Sequence, residues 1–262
     1  MALQENNINH KNIKLTIAYD GTNYLGWQKT ITGPSIEESL QIVLERILQK
    51  AAPLQAASRT DAGVHAVGQV VNFFTEKNSL DLKRLRLALN GLLPKDIVVL
   101  SAEEAPHKFH PTLDCSGKTY TYFVCTNEVQ FPEHRNFSWH CPHVLNIEAI
   151  KEAATHLIGT RDFAALCNEL STRDYTHTIR TVKSINITMF GKGRLRFEIT
   201  GDHFLYKMAR NITGLLIYVG NNKIDAKQVP SILLGRERKE AGITAPAHGL
   251  ALEQVHYLPI GV

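Results

Sequence analysis

The stretch SRTDAGVHAVGQV (58–70) places an arginine, an aspartate and a histidine among small and apolar residues. Asp61 offers a carboxylate, which can act as a nucleophile or general base, and Arg59 offers a guanidinium suited to anions. The same letters are also ordinary turn chemistry, because aspartate often caps its own backbone and Gly63 can adopt a positive φ. For His65 we favour a structural hydrogen bond over a phosphate contact. The stretch alone therefore leaves a catalytic and a structural interpretation open.

Metal-ligating residue types are present, but their spacing does not indicate a metal site. The stretch HCPH (140–143) lacks the second ligand pair that zinc sites usually show at a recognisable distance. The four cysteines form no CxxC pair and nothing else suggests secretion, so we expect free thiols. A metal-dependent hydrolase that uses Asp61 and His65 stays as a weaker alternative.

The bulk composition is that of a globular protein. The chain has 262 residues, of which 44% are hydrophobic and 21% charged, and this length suits one large domain or two of ordinary size. Its net charge of +4 permits an anionic partner without requiring one. No apolar run approaches the roughly 18 residues of a membrane span, and the polar N-terminus lacks the features of a secretion signal. We therefore expect a cytoplasmic protein with no membrane partner.

The first half of the chain shows strand and helix patterns in the order β-α-β-β-α-β. Its helices begin after Ser35 and Asp81, two residues suited to capping, and apolar residues follow at helical spacing. The strand patterns are KLTIAY (14–19), LQAAS (54–58), QVVNFF (69–74) and DIVVLSA (96–102). Asp61 then lies in the loop RTDAGVHA (59–66) between the second and third strands. Short loops on a rigid scaffold often carry catalytic groups, so this placement adds weight to a functional role, and the turn interpretation stays open.

The second half repeats this order. Its patterns are a strand KTYTYFV (118–124), a helix after Asn146, a hairpin around GKG (191–193), a helix over 204–219, an extra helix near 225–234 and a strand LALEQVHY (250–257). The sequence predicts an α+β fold of two ferredoxin-like, RRM-like βαββαβ halves whose antiparallel sheets flank a central cleft. Prolines interrupt both periods in EEAPHKFHP (103–111), so the halves are predicted to span 1–106 and 107–262.

Two further side chains stay ambiguous on their pattern alone. On the helix over 204–219 the apolar residues form one stripe, and Arg210 lies roughly opposite it, beside Gly214. Such an arginine is either solvated or directed into a cleft. Tyr120 and Tyr122 share one face of their strand, where aromatic residues usually belong to the core.

Five stretches spread over nearly the whole chain form a set. They are YDGTNYLGWQ (19–28), SRTDAGVHAVGQV (58–70), KTYTY (118–122), FLYKMARNITG (204–214) and TAPAHGLAL (244–252). Together, and in this order, they resemble the TruA family of tRNA pseudouridine synthases. The resemblance implies conversion of uridine to pseudouridine at positions 38, 39 and 40 of the tRNA anticodon stem-loop. It also implies a homodimer with an RNA-binding cleft and no need for a cofactor or a metal.

The resemblance assigns roles residue by residue. Asp61 would be the catalytic nucleophile, and Arg210 would pair with it. Arg59 would lie near the flipped nucleotide, and Tyr120 would lie against the target base.

Three positions depart from the pattern of the family. Ser58 stands where a glycine commonly precedes the active-site arginine, Thr112 stands in place of an arginine, and Arg161 stands where histidine is usual. These departures concern RNA contacts or loop geometry and leave Asp61 unchanged.

The chemistry of this isomerisation suits these residue types. The bond from C1′ to N1 breaks, the base turns and C1′ joins C5, so no electrons leave and a cofactor has no role. A carboxylate can attack C1′ or C6, or assist removal of a ribose proton, and the sequence leaves these routes open. A free tyrosine has a pKa of about 10, far from that of a general base, so we favour stacking for Tyr120. We expect Arg59 to fill the space that the flipped nucleotide vacates.

A non-catalytic RNA-binding module is the main alternative. Ferredoxin-like sheets resemble the RRM fold, and KTYTYFV places aromatic residues where an RRM stacks bases. The Gly-flanked aromatic pattern of an RRM is absent, however, and such a module gives Asp61 no reason to lie beside Arg59.

Overall fold

The structure is a computed structural model that describes residues 10–76, 79–168 and 175–258. Its strands are β1 (Lys11–Tyr19), β2 (Gln55–Ala56), β3 (His65–Thr75), β4 (Ile97–Ala105), β5 (Cys115–Cys125), β6 (Trp139–His140), β7 (Gly159–Asp162), β8 (Ile179–Met189), β9 (Arg194–Gly201) and β10 (Leu250–Tyr257). Its α-helices are α1 (Ile36–Leu48), α2 (Leu82–Leu92), α3 (Ile147–Leu157), α4 (Met208–Gly220) and α5 (Val229–Gly235).

The strands of the described chain form one continuous sheet in the order β4-β1-β3-β10-β5-β9-β8-β7, with β2 beside β3 and β6 beside β5. Most neighbours are antiparallel, which confirms an α+β fold with a predominantly antiparallel sheet. The prediction of separate sheets in the two halves is wrong. The last strand, β10, pairs in parallel with β3 and antiparallel with β5, and so joins the two halves into one sheet.

The elements of the first half follow the predicted order, and local chemistry explains their starts. The Ser35 side chain accepts a hydrogen bond from the Glu38 N–H at 3.3 Å, and this satisfies an amide at the start of α1. Asp81 caps α2 in the same way, since its side chain accepts from the Arg84 N–H at 3.0 Å. In β1 alternate residues are buried, as the strand pattern predicted.

A single apolar core extends under both halves of the sheet. Residues from α1, such as Leu40, belong to the same cluster of buried side chains as Ile212 of α4 and Phe197 of β9. The core therefore fixes the elements that carry the predicted site residues relative to one another. In the described part of the chain, no helix is long and apolar enough to cross a membrane.

Two of the element boundaries that differ from the prediction bear on the site. Helix α4 begins at Met208 rather than at residue 204, because Lys207 adopts a left-handed conformation with φ 60° and the Met208 N–H bonds the Leu205 carbonyl in a turn. Strand β3 begins at His65 rather than at residue 69, because Ala251 and Leu252 of β10 pair with its first residues. His65 thus belongs to a strand, and the loop that carries Asp61 spans residues 57–64 rather than 59–66.

Candidate active site

The loop that carries Asp61 runs between β2 and β3 and contains a tight turn. The Asp61 carbonyl accepts a hydrogen bond from the Val64 N–H at 3.1 Å, and Gly63 adopts φ 76°. The turn predicted from Asp-Ala-Gly is therefore present, but it uses the aspartate backbone. The Asp61 side chain accepts no hydrogen bond from this turn and is free to point elsewhere.

The N-terminal stretch YDGTNYLGWQ supports this loop through backbone contacts. The Trp27 N–H donates to the Thr60 carbonyl at 3.0 Å, and the Gly63 N–H donates to the Tyr24 carbonyl at 3.2 Å. The Tyr19 hydroxyl also lies 2.8 Å from the Thr60 hydroxyl. These bonds on both sides of Asp61 hold its backbone in one position, as a catalytic group requires.

His65 has the structural role that the sequence favoured. The side chain is buried, and Nδ1 accepts a hydrogen bond from the Gly21 N–H at 3.0 Å. Nε2 lies 2.8 Å from the Asn136 carbonyl oxygen, and the ring packs against Phe137 at 4.7 Å. Because both ring nitrogens have partners, His65 ties β3 to two other segments.

Arg210 and Asp61 form an ion pair across 149 residues of sequence. Arg210 Nη1 lies 3.0 Å from Asp61 Oδ2, and the two side chains are only 13% and 22% exposed. Arg210 Nε donates a second hydrogen bond, to the Ala245 carbonyl at 2.8 Å. The guanidinium is thus fixed at two points, and it holds one oxygen of the carboxylate in place.

Arg210 reaches Asp61 because the segment 243–249 crosses α4 at close range. The Ala245 N–H donates to the Arg210 carbonyl at 3.2 Å. Gly214 permits this approach, since a Cβ at that position would lie 1.8 Å from the Ile243 carbonyl oxygen. The face of α4 opposite the apolar stripe is therefore covered by chain rather than by water.

Gly214→Ala is expected to destabilise the protein by about 1–3 kcal/mol, because the new methyl group would displace the Ile243 carbonyl. Urea unfolding measures the change. Gly91→Ala is the matched control: Gly91 lies in α2 with nothing within 4 Å of its Cβ position, and alanine in a helix is favoured over glycine by about 0.5–1 kcal/mol. Equal stabilities of the two variants would contradict the close approach.

Tyr120 lies on β5 with its ring and its hydroxyl both in contact with other side chains. Its ring packs edge to face against Phe204 with the centroids 4.9 Å apart, and its hydroxyl lies 2.8 Å from the Ser58 hydroxyl. Burial raises the pKa of Tyr120 to about 12. Ser58, a departure from the family pattern, therefore makes a bond that glycine in its place could not make.

Arg59 is exposed beside this site, and it forms no hydrogen bond or ion pair with the residues that the structure describes. Its guanidinium is thus available to a substrate. The other two departures have local partners. Thr112 Oγ1 donates to the Ala56 carbonyl at 2.7 Å, and Arg161 Nε donates to the Ile158 carbonyl at 3.1 Å.

One cavity of about 520 Å³ brings the four predicted site residues together. Asp61, Arg59, Tyr120 and Arg210 all line it. Its volume lies within the roughly 300–1,000 Å³ of ordinary small-ligand sites. The cavity is therefore large enough for one small ligand beside Asp61.

Lys118 also lines this cavity, and sequence reasoning missed it. It lies on the face of β5 that carries Tyr120, two residues away, and is only 7% exposed. The indication in the sequence was that Lys118 is the one charged residue of β5.

The stretch HCPH is not part of this cavity. His140 Nε2 lies 2.9 Å from the Asn127 carbonyl oxygen, and Cys141 is buried with a free thiol. Across residues 10–76, 79–168 and 175–258, no group of three or more His, Cys, Asp and Glu side chains is arranged to hold a metal ion.

Comparison with known proteins gives matches over most of the chain. A sequence profile described as tRNA pseudouridine synthase matches residues 15–114 and 153–258. A tRNA pseudouridine synthase A 2 of Protochlamydia amoebophila (strain UWE25) is 53% identical over 247 residues, which cover 94% of each chain. A tRNA pseudouridine synthase A of Thermoanaerobacter sp. (strain X514) is 41% identical over 94% of this chain and 100% of its own length. A third, from Acetivibrio thermocellus, is 39% identical over the same shares.

Proposed function

The chain belongs to the family of tRNA pseudouridine synthases, isomerases that convert uridine in tRNA to pseudouridine, and we propose that it modifies positions 38, 39 and 40 of the anticodon stem-loop with Asp61 as the nucleophile. The observation that carries the proposal is the Asp61–Arg210 ion pair inside a cavity that Tyr120 also lines. A binding module has no use for a fixed carboxylate at this place.

The geometry of the ion pair supports a reactive carboxylate. Arg210 contacts Oδ2, and no donor among the described residues contacts Oδ1 of Asp61. Attack on C1′, attack on C6 and assistance in removing a ribose proton all need an unprotonated oxygen that is free to approach the substrate. Arg210 orients the carboxylate through Oδ2, which leaves the second oxygen for chemistry.

Tyr120 is proposed to lie against the target base. Its ring is held by Phe204 and its hydroxyl by Ser58, so one orientation is maintained inside the cavity. A pKa raised to about 12 by burial is far from the near-neutral value that suits a general base. Both facts support contact with the base over proton transfer by this residue.

Arg59 is proposed to occupy the space that the flipped uridine leaves in the stem. Arg59→Ala should lower kcat/KM by about 10²-fold, because flipping a paired base costs a few kcal/mol and the occupant that offsets this cost is lost. The measurement is the rate on two stem-loops, one with the target uridine paired and one with it mismatched. The defect should shrink on the mismatched stem-loop, whose target is already unpaired.

Arg46→Ala is the control for this prediction, since Arg46 is exposed on α1 and does not line the cavity. It removes the same charge and should leave both rates near wild type. A wild-type rate for Arg59→Ala, or an equal defect on both stem-loops, would reject the space-filling role.

The proposal also includes the division into two halves, the oligomeric state and the cellular location. The order of elements supports two ferredoxin-like halves, 1–106 and 107–262, within the continuous sheet. The resemblance to the TruA family supports a homodimer that acts in the cytoplasm. Light scattering on the purified protein tests the dimer, and a monomer at working concentrations would reject it.

The activity is tested by tritium release from tRNA labelled at uridine C5, because the C5 proton must leave when C5 joins C1′. We expect release in the presence of EDTA, at the anticodon stem-loop positions named above. Tight tRNA binding without release would instead favour an RNA-binding module. Release that EDTA abolishes would favour metal-dependent chemistry.

A further inference from the structure

Lys118 is a largely buried basic side chain that lines the active-site cavity without a direct ion pair to a described residue. It is 7% exposed, and no ion pair or hydrogen bond joins it to another described residue. Burial lowers the pKa of Lys118, with Cys115 and Asp202 only partly opposing this effect. An isolated buried ammonium is costly to a fold unless something compensates it. The missing partner is therefore expected to arrive with the substrate.

Among the basic residues that line the cavity, Lys118 is the most deeply buried one without an ion pair. Arg210 is already paired with Asp61. Asp202, whose negative charge acts on Lys118, already accepts hydrogen bonds from the backbone N–H groups of Thr181 and His203. Arg59 and Lys207 also form no ion pair with a described residue, but both are more exposed than Lys118. A negatively charged group of the substrate that interacts with Lys118 must therefore enter the buried part of the cavity.

The position of Lys118 indicates which part of the nucleotide it meets. It shares a strand face with Tyr120, the residue proposed to lie against the uracil ring. When a nucleotide enters a cavity from a stem, its base goes deepest and its phosphates stay near the mouth. The buried ammonium thus lies on the side of the base rather than of the phosphates.

We propose that Lys118 is a further catalytic residue, whose ammonium donates a hydrogen bond to a carbonyl oxygen of the uracil ring and stabilises the negative charge that the ring acquires when it is released from C1′. The inference rests on the proposed pseudouridine synthase activity. It adds a residue that acts on the leaving base, whereas Asp61, in the route through C1′, acts on the ribose.

The electron balance of this step needs no additional reactant. The electron pair of the C1′–N1 bond moves to N1 and is delocalised onto O2 and O4. In the route through C1′, an Asp61 oxygen bonds C1′ as N1 leaves. After the ring turns, C5 uses ring electrons to bond C1′, the Asp61–C1′ bond breaks and returns its electron pair to the carboxylate, and the C5 proton then leaves. Lys118 keeps its proton throughout and supplies only charge, in the manner of an oxyanion-binding group. If Asp61 attacks C6 instead, the charge again reaches a ring carbonyl, so the role is the same.

The test uses Lys118→Met, which keeps length and loses charge, and Lys118→Arg, which keeps charge. In single-turnover reactions on a saturating stem-loop, Lys118→Met should cleave the C1′–N1 bond about 10²–10³-fold more slowly, with RNA affinity within about twofold of wild type. Lys118→Arg should recover part of the rate. Lys227→Met is the control, since Lys227 is exposed and does not line the cavity.

A second substrate separates leaving-group stabilisation from other roles. Fluorine at C5 withdraws electrons and makes the uracil anion more stable, so a stem-loop with 5-fluorouridine needs less help from Lys118. The ratio of wild-type to Lys118→Met cleavage rates, measured by digestion and mass spectrometry, should be smaller with 5-fluorouridine than with uridine. Lys118→Gln replaces Lys118→Met if circular dichroism shows that the methionine variant does not fold.

Three outcomes would overturn the proposal. Weaker RNA binding with a normal saturated rate would make Lys118 a phosphate contact. Normal bond cleavage with slow tritium release would make it the base for the C5 proton. Equal rate ratios for both substrates would exclude leaving-group stabilisation. Absence of tritium release by the wild-type protein is a different result, which rejects the proposed activity itself.

Discussion

Asp61→Asn is expected to abolish tritium release from tRNA labelled at uridine C5, with a loss of at least about 10⁴-fold, the scale seen when a nucleophile is removed. Asparagine has the same shape and keeps an oxygen that can accept the hydrogen bond from Arg210. It has no negative charge, however, and its amide is a poor nucleophile and a poor base. The loss should therefore appear in the chemical step, and tRNA binding should persist.

Two variants serve as controls for this substitution. Asp81→Asn removes the same charge at the cap of α2, where asparagine caps equally well, so stability and activity should stay near wild type. Asp61→Glu keeps the charge but moves the carboxylate by one methylene, and it should also be severely impaired because the position of the oxygen matters. A folded Asp61→Asn protein that releases tritium at the wild-type rate would reduce Asp61 to a turn residue.

The sequence allowed much of the fold to be predicted where local chemistry determines the structure. Alternating apolar residues specify β1, and the side-chain caps Ser35 and Asp81 specify where α1 and α2 begin. These features depend on neighbours within a few residues, so the pattern is sufficient. The loop position of Asp61 follows from the strands on either side of it.

The joining of the two halves could not be predicted in the same way. Strand β10 pairs with β3 through only Ala251 and Leu252, far away in sequence from His65 and Ala66. Strand patterns show that a segment is extended, but they do not identify its partner. This pairing also explains the early start of β3, which the local pattern missed.

The surroundings of Arg210 were also beyond prediction from local sequence patterns. Helical periodicity placed Arg210 opposite the apolar stripe of α4, where a solvated arginine is the usual result. In the structure the segment 243–249 covers that face, and the Arg210 side chain is only 13% exposed. Periodicity within a helix carries no information about a segment that begins 33 residues later. Only the resemblance to a family indicated the contact with Asp61.

Arg210→Met is the second substitution with a large expected effect, a fall of about 10³-fold in kcat/KM, similar to the loss of a preorganised charged donor. The substitution leaves the partly buried Asp61 carboxylate without its partner and removes the bond to the Ala245 carbonyl. Arg210→Lys restores the charge, but a single ammonium cannot reproduce the fork that reaches both Asp61 Oδ2 and the Ala245 carbonyl oxygen. Its activity should lie between those of wild type and Arg210→Met.

A double variant separates positioning of Asp61 from general support of the fold. If Arg210 acts through Asp61, then adding Arg210→Met to Asp61→Asn should cause little further loss of activity, because the group that Arg210 orients is already inactive. In urea unfolding the double variant should also be less destabilised than the sum of the single variants, by about 0.5–3 kcal/mol, since neither charge is then left unpaired. Additive losses of stability, with Arg210→Lys no better than Arg210→Met, would mean that Arg210 only anchors the segment 243–249 to α4.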